Sequence, residues 1–186
     1  EDLSVRTAIV LGLALLAAAP EAGLFYAYPA GTVWTYDADF AGNARRVTYK
    51  VAGVENEQRH VEFDVFREGD PGATASDDMV WSGRDGGADW SIDEGDGTLK
   101  PRWRLWNAGA EPGSSWKGPD ESETTYVGNE DIEVPAGRWT GAVHLKIRCD
   151  ATVEFWYVAG VGFVKMVRTG GETRDTLLLR KVERPE

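Results

Sequence analysis

The sequence predicts an all-β chain, an antiparallel meander forming a curved sheet, barrel or sandwich. Three observations carry that prediction. Apolar and polar residues alternate with period two along most of the chain. Short Gly-, Asn- and Pro-bearing breaks separate the alternating runs. No amphipathic helical repeat follows residue 23. Taken in order, "WTYDADF" sets Trp34, Tyr36, Ala38 and Phe40 on one face against Thr35, Asp37 and Asp39. "AGN" (41–43) is a turn, and "RRVTYKV" then points Val47, Tyr49 and Val51 inward. "HVEFDVF" does the same with Val61, Phe63 and Val65. Later, "AVHLKIR" sets Val143, Leu145 and Ile147 against His144, Lys146 and Arg148, and "TRDTLLLRKV" is the last strand. Strands this close in sequence pair most simply as antiparallel neighbours. Between them, the Gly- and Asp-rich "EGDPGATASDD" and "SGRDGGADWSIDEGDGTLKP" read as loops.

The chain also repeats itself. "PAGTVWTYD" and "EPGSSWKGPD" share a G-x-x-W, at Gly31/Trp34 and Gly113/Trp116. "TYKVAGVE" and "TTYVGNE" follow them, and "MVWSGRDGG" and "EFWYVAGVG" come later in each half. The spacing suggests half-repeats over 29–100 and 111–182 within one β domain, 23–186.

Ahead of that domain, an unbroken small and apolar run extends from Thr7 to Ala19 behind Arg6. It is shorter than the roughly 20 residues that span a bilayer and matches the core of a signal peptide. Residues 1–22 are therefore expected to form a signal helix, truncated at its start. Ala17-x-Ala19 fits a cleavage site, but Pro20 follows it, so cleaved leader and retained anchor both stay open. The expected location is secreted or periplasmic, with membrane contact only through an uncleaved signal segment.

Among the 186 residues, 31 acidic and 20 basic side chains leave a net charge of -11. Such a chain repels phosphate backbones, which argues against nucleic acid as a partner. The sole cysteine, Cys149, excludes an intramolecular disulfide and reads as a small buried hydrophobe at the end of a strand.

Candidate sites are few. "GVG" (160–162) lacks the third glycine of a dinucleotide fingerprint, because Lys165 stands there and a β-prone run follows. Gly160 and Gly162 are read as turn or bulge residues, as are Pro135 and Gly137 of "VPAG". Asp37 and Asp39 share a strand face as any D-x-D does, which is weak ground for a glycosidase pair. Asp89, Asp93, Glu94 and Asp96 lack the spacing of a calcium loop. His60 and His144 have no ligand set around them, and no nucleophile, P-loop or zinc-protease motif is present. No catalytic residue, metal or cofactor is therefore expected. What stands out is aromatic: eight Trp, six Tyr and six Phe. Trp34, Tyr36, Phe63, Phe155 and Tyr157 come from separate strands or strand positions. They could line an apolar site if the sheet curls without closing, or fill a closed core. Most tryptophans of a β protein pack, and packing is the favoured reading here; Trp90, Trp103 and Trp106 fall in the loop-rich middle and are the ones nearest to exposure.

"YPAGTVWTYD", "VGNEDIEVPAGRWTGAVHLKI" and "FWYVAGVGFVKM" together resemble a family of exported bacterial β-sheet proteins. Its recurring segments read G-x-x-W-x-Y, V-P-A-G and W-Y-x-x-G-V-G-x-V-K, in this order. The chain departs at Ala159, where the family usually has proline before the glycine. The family is a domain of unknown function, so the resemblance carries over no catalytic residues. It implies an extracytoplasmic antiparallel β domain related to curved-sheet envelope proteins that hold lipid or lipoprotein segments, and the expected partner is a lipid, an apolar ligand or an envelope protein. The resulting expectation is a non-catalytic binding domain. A carbohydrate-binding module using exposed tryptophans and a hydrolase using loop carboxylates are the alternatives.

Overall fold

A computed structural model describes residues 25, 27–67, 69–93 and 99–185. The expected signal peptide lies outside the described residues. The described chain is a single run of strands: β1 (Val33–Phe40), β2 (Asn43–Glu55), β3 (Gln58–Arg67), β4 (Ala73–Arg84), β5 (Gly87–Asp93) and β6 (Leu99–Trp106). It continues with β7 (Ser115–Lys117), a 3-10 turn at Pro119–Glu121, β8 (Glu123–Val134), β9 (Gly137–Arg148), β10 (Thr152–Val158), β11 (Gly162–Gly170) and β12 (Thr173–Glu183). All pair antiparallel in one 12-stranded sheet, ordered β6-β5-β4-β3-β2-β1-β12-β11-β10-β9-β8-β7. The chain therefore forms two six-stranded meanders joined where β1 pairs with β12.

The alternation explains the curvature. In β1, Trp34, Tyr36 and Ala38 are buried while Thr35 and Asp37 are half-exposed. In β2, Val47, Tyr49 and Val51 are buried on the same face. Across the joint, Tyr36 lies opposite Leu179 and Ala38 opposite Leu177, and both leucines are buried. With one face apolar throughout, the sheet curls around it until the two halves pack their aromatic faces together. Trp90 of the first half meets Phe155 of the second at 5.7 Å between ring centroids, and Tyr36 stacks on Phe163 at 4.6 Å.

The curl almost closes. The edge strands β6 and β7 face each other across a seam bridged by side chains. Trp116 Nε1 donates to the Arg104 carbonyl oxygen at 2.9 Å, and Thr124 Oγ1 donates to the same oxygen at 2.8 Å. β7 is three residues long against eight in β1, so this seam has far less strand to offer than the β1–β12 joint. We expect Trp116→Phe to cost about 1 kcal/mol, since it removes one seam hydrogen bond while Thr124 still satisfies the carbonyl. Urea denaturation of both proteins measures it.

The entries to the two halves share their hydrogen bonding. Gly31 N donates to Val51 O at 2.7 Å, and Gly113 N to Tyr126 O at 2.6 Å. Thr32 Oγ1 donates to Pro29 O at 2.8 Å, and Ser114 Oγ to Glu111 O at 2.6 Å. Both glycines have φ +88°.

Two sequence expectations are corrected. The stretches read as loops supply most of β4, all of β5 and the start of β6. Glycine and aspartate concealed an alternation: Ala88 and Trp90 pack into the interior, while Asp89 faces the Arg104 guanidinium on the neighbouring strand at 3.0 Å. Cys149 is exposed in the β9–β10 turn rather than buried, because β9 ends at Arg148 and the side chain lies past the last inward position.

Candidate functional site: a cleft at the open end of the barrel

Antiparallel strands put alternate turns at opposite ends of the barrel. At one end lie the β2–β3, β4–β5, β8–β9 and β10–β11 turns, Phe25 and residues 27–32. This end is filled. Phe25 stacks on Trp106 at 5.1 Å and meets Tyr157 edge-on at 4.7 Å. Tyr28 packs edge-on against Trp34 at 4.8 Å. The β8–β9 hairpin reaches over to β12, where Ala136 N donates to Leu179 O at 2.9 Å.

The other end carries the β1–β2, β3–β4, β9–β10 and β11–β12 turns and the 3-10 turn, and there the interior opens. A cleft of about 680 Å³ runs inward between the two halves. Tyr49, Phe63, Met79, Trp90, Ile92 and Trp103 line it from β2 to β6. Val153 and Met166 line it from β10 and β11. The register explains the grouping: Tyr49 pairs with Phe63, Met79 with Ile92, and Trp90 with Trp103. Toward the mouth the lining turns polar. Asp77 and Arg102 come from the first half, and Cys149, Asp150 and Arg168 from the second. Asp77 is the cross-strand partner of Phe63, and Arg168 that of Val153, so each charge stands level with an apolar lining residue on the neighbouring strand. Arg168 Nη1 also lies 3.7 Å from Asp175 Oδ2.

Of the five aromatic residues singled out in the sequence, Phe63 lines this cleft. The other four lie deeper. Trp34 and Tyr36 donate their polar atoms to Val161 O at 2.6 Å and Phe163 O at 2.8 Å. Phe155 is 0% exposed and packs behind Trp90 and Trp103. Tyr157 is buried against Phe25 and Phe163. Burial, reinforced by neighbouring tyrosines, holds the Tyr36 and Tyr157 hydroxyls well above the usual phenol range, so both stay neutral. Trp90 and Trp106 are 6% and 1% exposed, so they pack, as the favoured reading has it, although the sequence placed them in loops. They sit on inward positions of strands, not in loops. Trp103 is half-buried in the cleft wall. Sequence reasoning missed Met79, Ile92, Arg102, Met166 and Arg168. The alternation in "ADWSID" was the available signal.

The turn residues lie away from the cleft. Pro135 sits in the β8–β9 turn, with Gly137 (φ +142°) opening β9. Gly160 (φ +69°) lies between β10 and β11, and Gly162 (φ +112°) opens β11 against the Trp34 indole.

The remaining candidates resolve into ordinary contacts. Asp37 accepts from Arg180 Nε at 2.7 Å, and Asp39 accepts from Gly42 N at 2.7 Å. Asp89 pairs with Arg104. The Asp93 side chain, Glu94 and Asp96 lie outside the described residues. Among the described residues, no group of three or more His, Cys, Asp or Glu side chains is placed to hold a metal ion.

On the outer face, His144 stacks on Trp156 at 4.2 Å, and Lys165 Nζ lies 4.3 Å from the centre of the Trp156 ring. Glu130 ties the stack together, accepting from Trp156 Nε1 at 2.9 Å and contacting His144 Nδ1 at 2.8 Å. The Trp156 hydrogen bond, helped by His144 and opposed by partial burial, holds the Glu130 carboxyl below its usual range. A carboxyl depressed in the folded state stabilises above its unfolded pKa, and that contribution is lost as pH falls through the folded pKa. The stability gap between the natural protein and Glu130→Gln should therefore be widest near neutrality and shrink below about pH 4.5. Thermal melts across that range test it.

No protein-family model matches the chain, and no curated protein matches it. Solved structures do. One is a protein of Bacteroides fragilis described as exported and as having a YMCC-like fold, at 16% identity and TM-score 0.53. Another, from Parabacteroides distasonis, is described as a lipoprotein, at 15% identity and TM-score 0.54. Each alignment covers 86% of this chain and 99% of the other. At that identity the likeness shows a shared fold and nothing more.

Proposed function

We propose that the chain is a non-catalytic extracytoplasmic domain that holds an apolar ligand in the cleft at its open end. One observation carries the reading. The curled sheet is filled at one end by Phe25, Tyr28 and the β8–β9 hairpin, and at the other it leaves an apolar-walled cavity of about 680 Å³. Small-molecule sites are of this kind, roughly 300–1,000 Å³, mainly apolar, with a few polar groups at the rim. The extracytoplasmic placement is supported by the apolar run after Arg6 and by fold relatives described as exported or as a lipoprotein. The shared hydrogen bonding at Gly31 and Gly113 supports reading the two meanders as copies of one unit.

The test is titration with N-phenyl-1-naphthylamine, an uncharged probe that brightens in apolar surroundings. The natural protein should bind it saturably at roughly micromolar concentration. Phe63→Asp, with Met166→Asp as a second variant, should abolish binding while near-ultraviolet circular dichroism stays native. Failure of the natural protein to brighten the probe would overturn the reading.

A further inference from the structure

The charges at the cleft mouth narrow the ligand class, and this inference rests on the binding role proposed above. Each half of the barrel contributes one cation and one anion to the lining. Asp77 and Arg102 stand on β4 and β6, and Asp150 and Arg168 on the β9–β10 turn and β11. All four are exposed, so each meets solvent and any head group seated there. The lining is thus charge-balanced within a chain of net charge -11. Outside the lining, Asp175 Oδ2 lies 3.7 Å from Arg168 Nη1 and draws on part of that cation. A ligand bearing a single negative head would face Asp77 and Asp150, and one bearing a single positive head would face Arg102 and Arg168. A head carrying both signs can satisfy both pairs. Phe63 stands beside Asp77, and inward from there the walls are apolar, through Met79 and Ile92 to Trp90 and Trp103. The volume suits one chain, not several.

We propose that the cleft takes a single-chain amphiphile with a zwitterionic head: the chain lies against the Trp90–Trp103 wall and the head lies among Asp77, Arg102, Asp150 and Arg168.

The experiment compares four dodecyl amphiphiles, each below its micelle-forming concentration, by displacement of the naphthylamine probe: dodecylphosphocholine, dodecanoate, dodecyltrimethylammonium and dodecyl maltoside. Exposed charge pairs contribute up to about fivefold each, so dodecylphosphocholine should bind about fivefold more tightly than any of the other three. Asp77→Asn with Asp150→Asn should move the preference to dodecanoate. Arg102→Gln with Arg168→Gln should move it to dodecyltrimethylammonium. Equal affinities for all four, or tightest binding of dodecanoate, dodecyltrimethylammonium or dodecyl maltoside by the natural protein, would overturn the head-group inference and leave the apolar cleft standing. Binding of the probe without displacement by any amphiphile would also overturn it. If neither the probe nor any amphiphile binds, both readings fall.

Discussion

Phe155→Ala should cost about 3–5 kcal/mol. Phe155 is 0% exposed and stands where the two meanders meet. Its ring lies 5.7 Å from Trp90, 5.8 Å from Trp103 and 5.8 Å from Phe163. These neighbours come from β5, β6 and β11, each fixed in its own ladder, so they cannot collapse into the space the ring leaves. The cost therefore includes a cavity as well as lost transfer energy. The same vacancy lies directly behind the cleft wall. Guanidinium denaturation should show the lowered midpoint, and a loss below about 1 kcal/mol would mean the two halves do not pack through this ring.

Gly162→Val is the second large effect, at about 3 kcal/mol from backbone strain and overpacking together. Gly162 has φ +112°, where a side chain is strained in any surroundings. A Cβ there would also meet Trp34 Nε1 at 2.9 Å and Tyr28 OH at 3.4 Å. The Trp34 indole is not free to retreat, because its N–H donates to Val161 O at 2.6 Å. Gly160→Ala makes the contrast. It shares a positive φ, +69°, but nothing lies within 4 Å of the added Cβ, so about 1 kcal/mol of strain is all it should cost. Equal effects at the two positions would show that conformation alone governs this hinge and that the approach to Trp34 does not matter.

The fold class was legible because alternation reports which face of a strand is buried. Trp34, Tyr36, Val47, Tyr49 and Leu145 all point inward, as their spacing requires. Composition misled where it was allowed to outrank spacing. The glycines and aspartates around Trp90 made a loop of what is β4 and β5, although Ala88 and Trp90 kept the period. Depth was not legible at all. Period two gives a residue's face but not its distance along the barrel, so Phe63 and Tyr157 look alike in sequence. One lines the cleft and the other packs against Phe25 beside the filled end. That difference depends on Phe25, Tyr28 and the β8–β9 hairpin covering one end, a long-range consequence of the sheet's curl. Arg102 and Arg168 were missed for the same reason, since only the closed geometry brings β6 and β11 to one mouth.

The account turns on the open end being a binding cleft, and contact quenching of tryptophan measures that directly. A dodecyl amphiphile brominated at its chain terminus quenches the indoles it touches. Trp90 and Trp103 line the cleft, whereas Trp106 lies against Phe25 near the filled end. The account predicts saturable quenching of the natural protein, largely lost in Trp90→Phe/Trp103→Phe and retained in Trp106→Phe. Quenching that rises linearly without saturation, or that survives loss of Trp90 and Trp103, would contradict it.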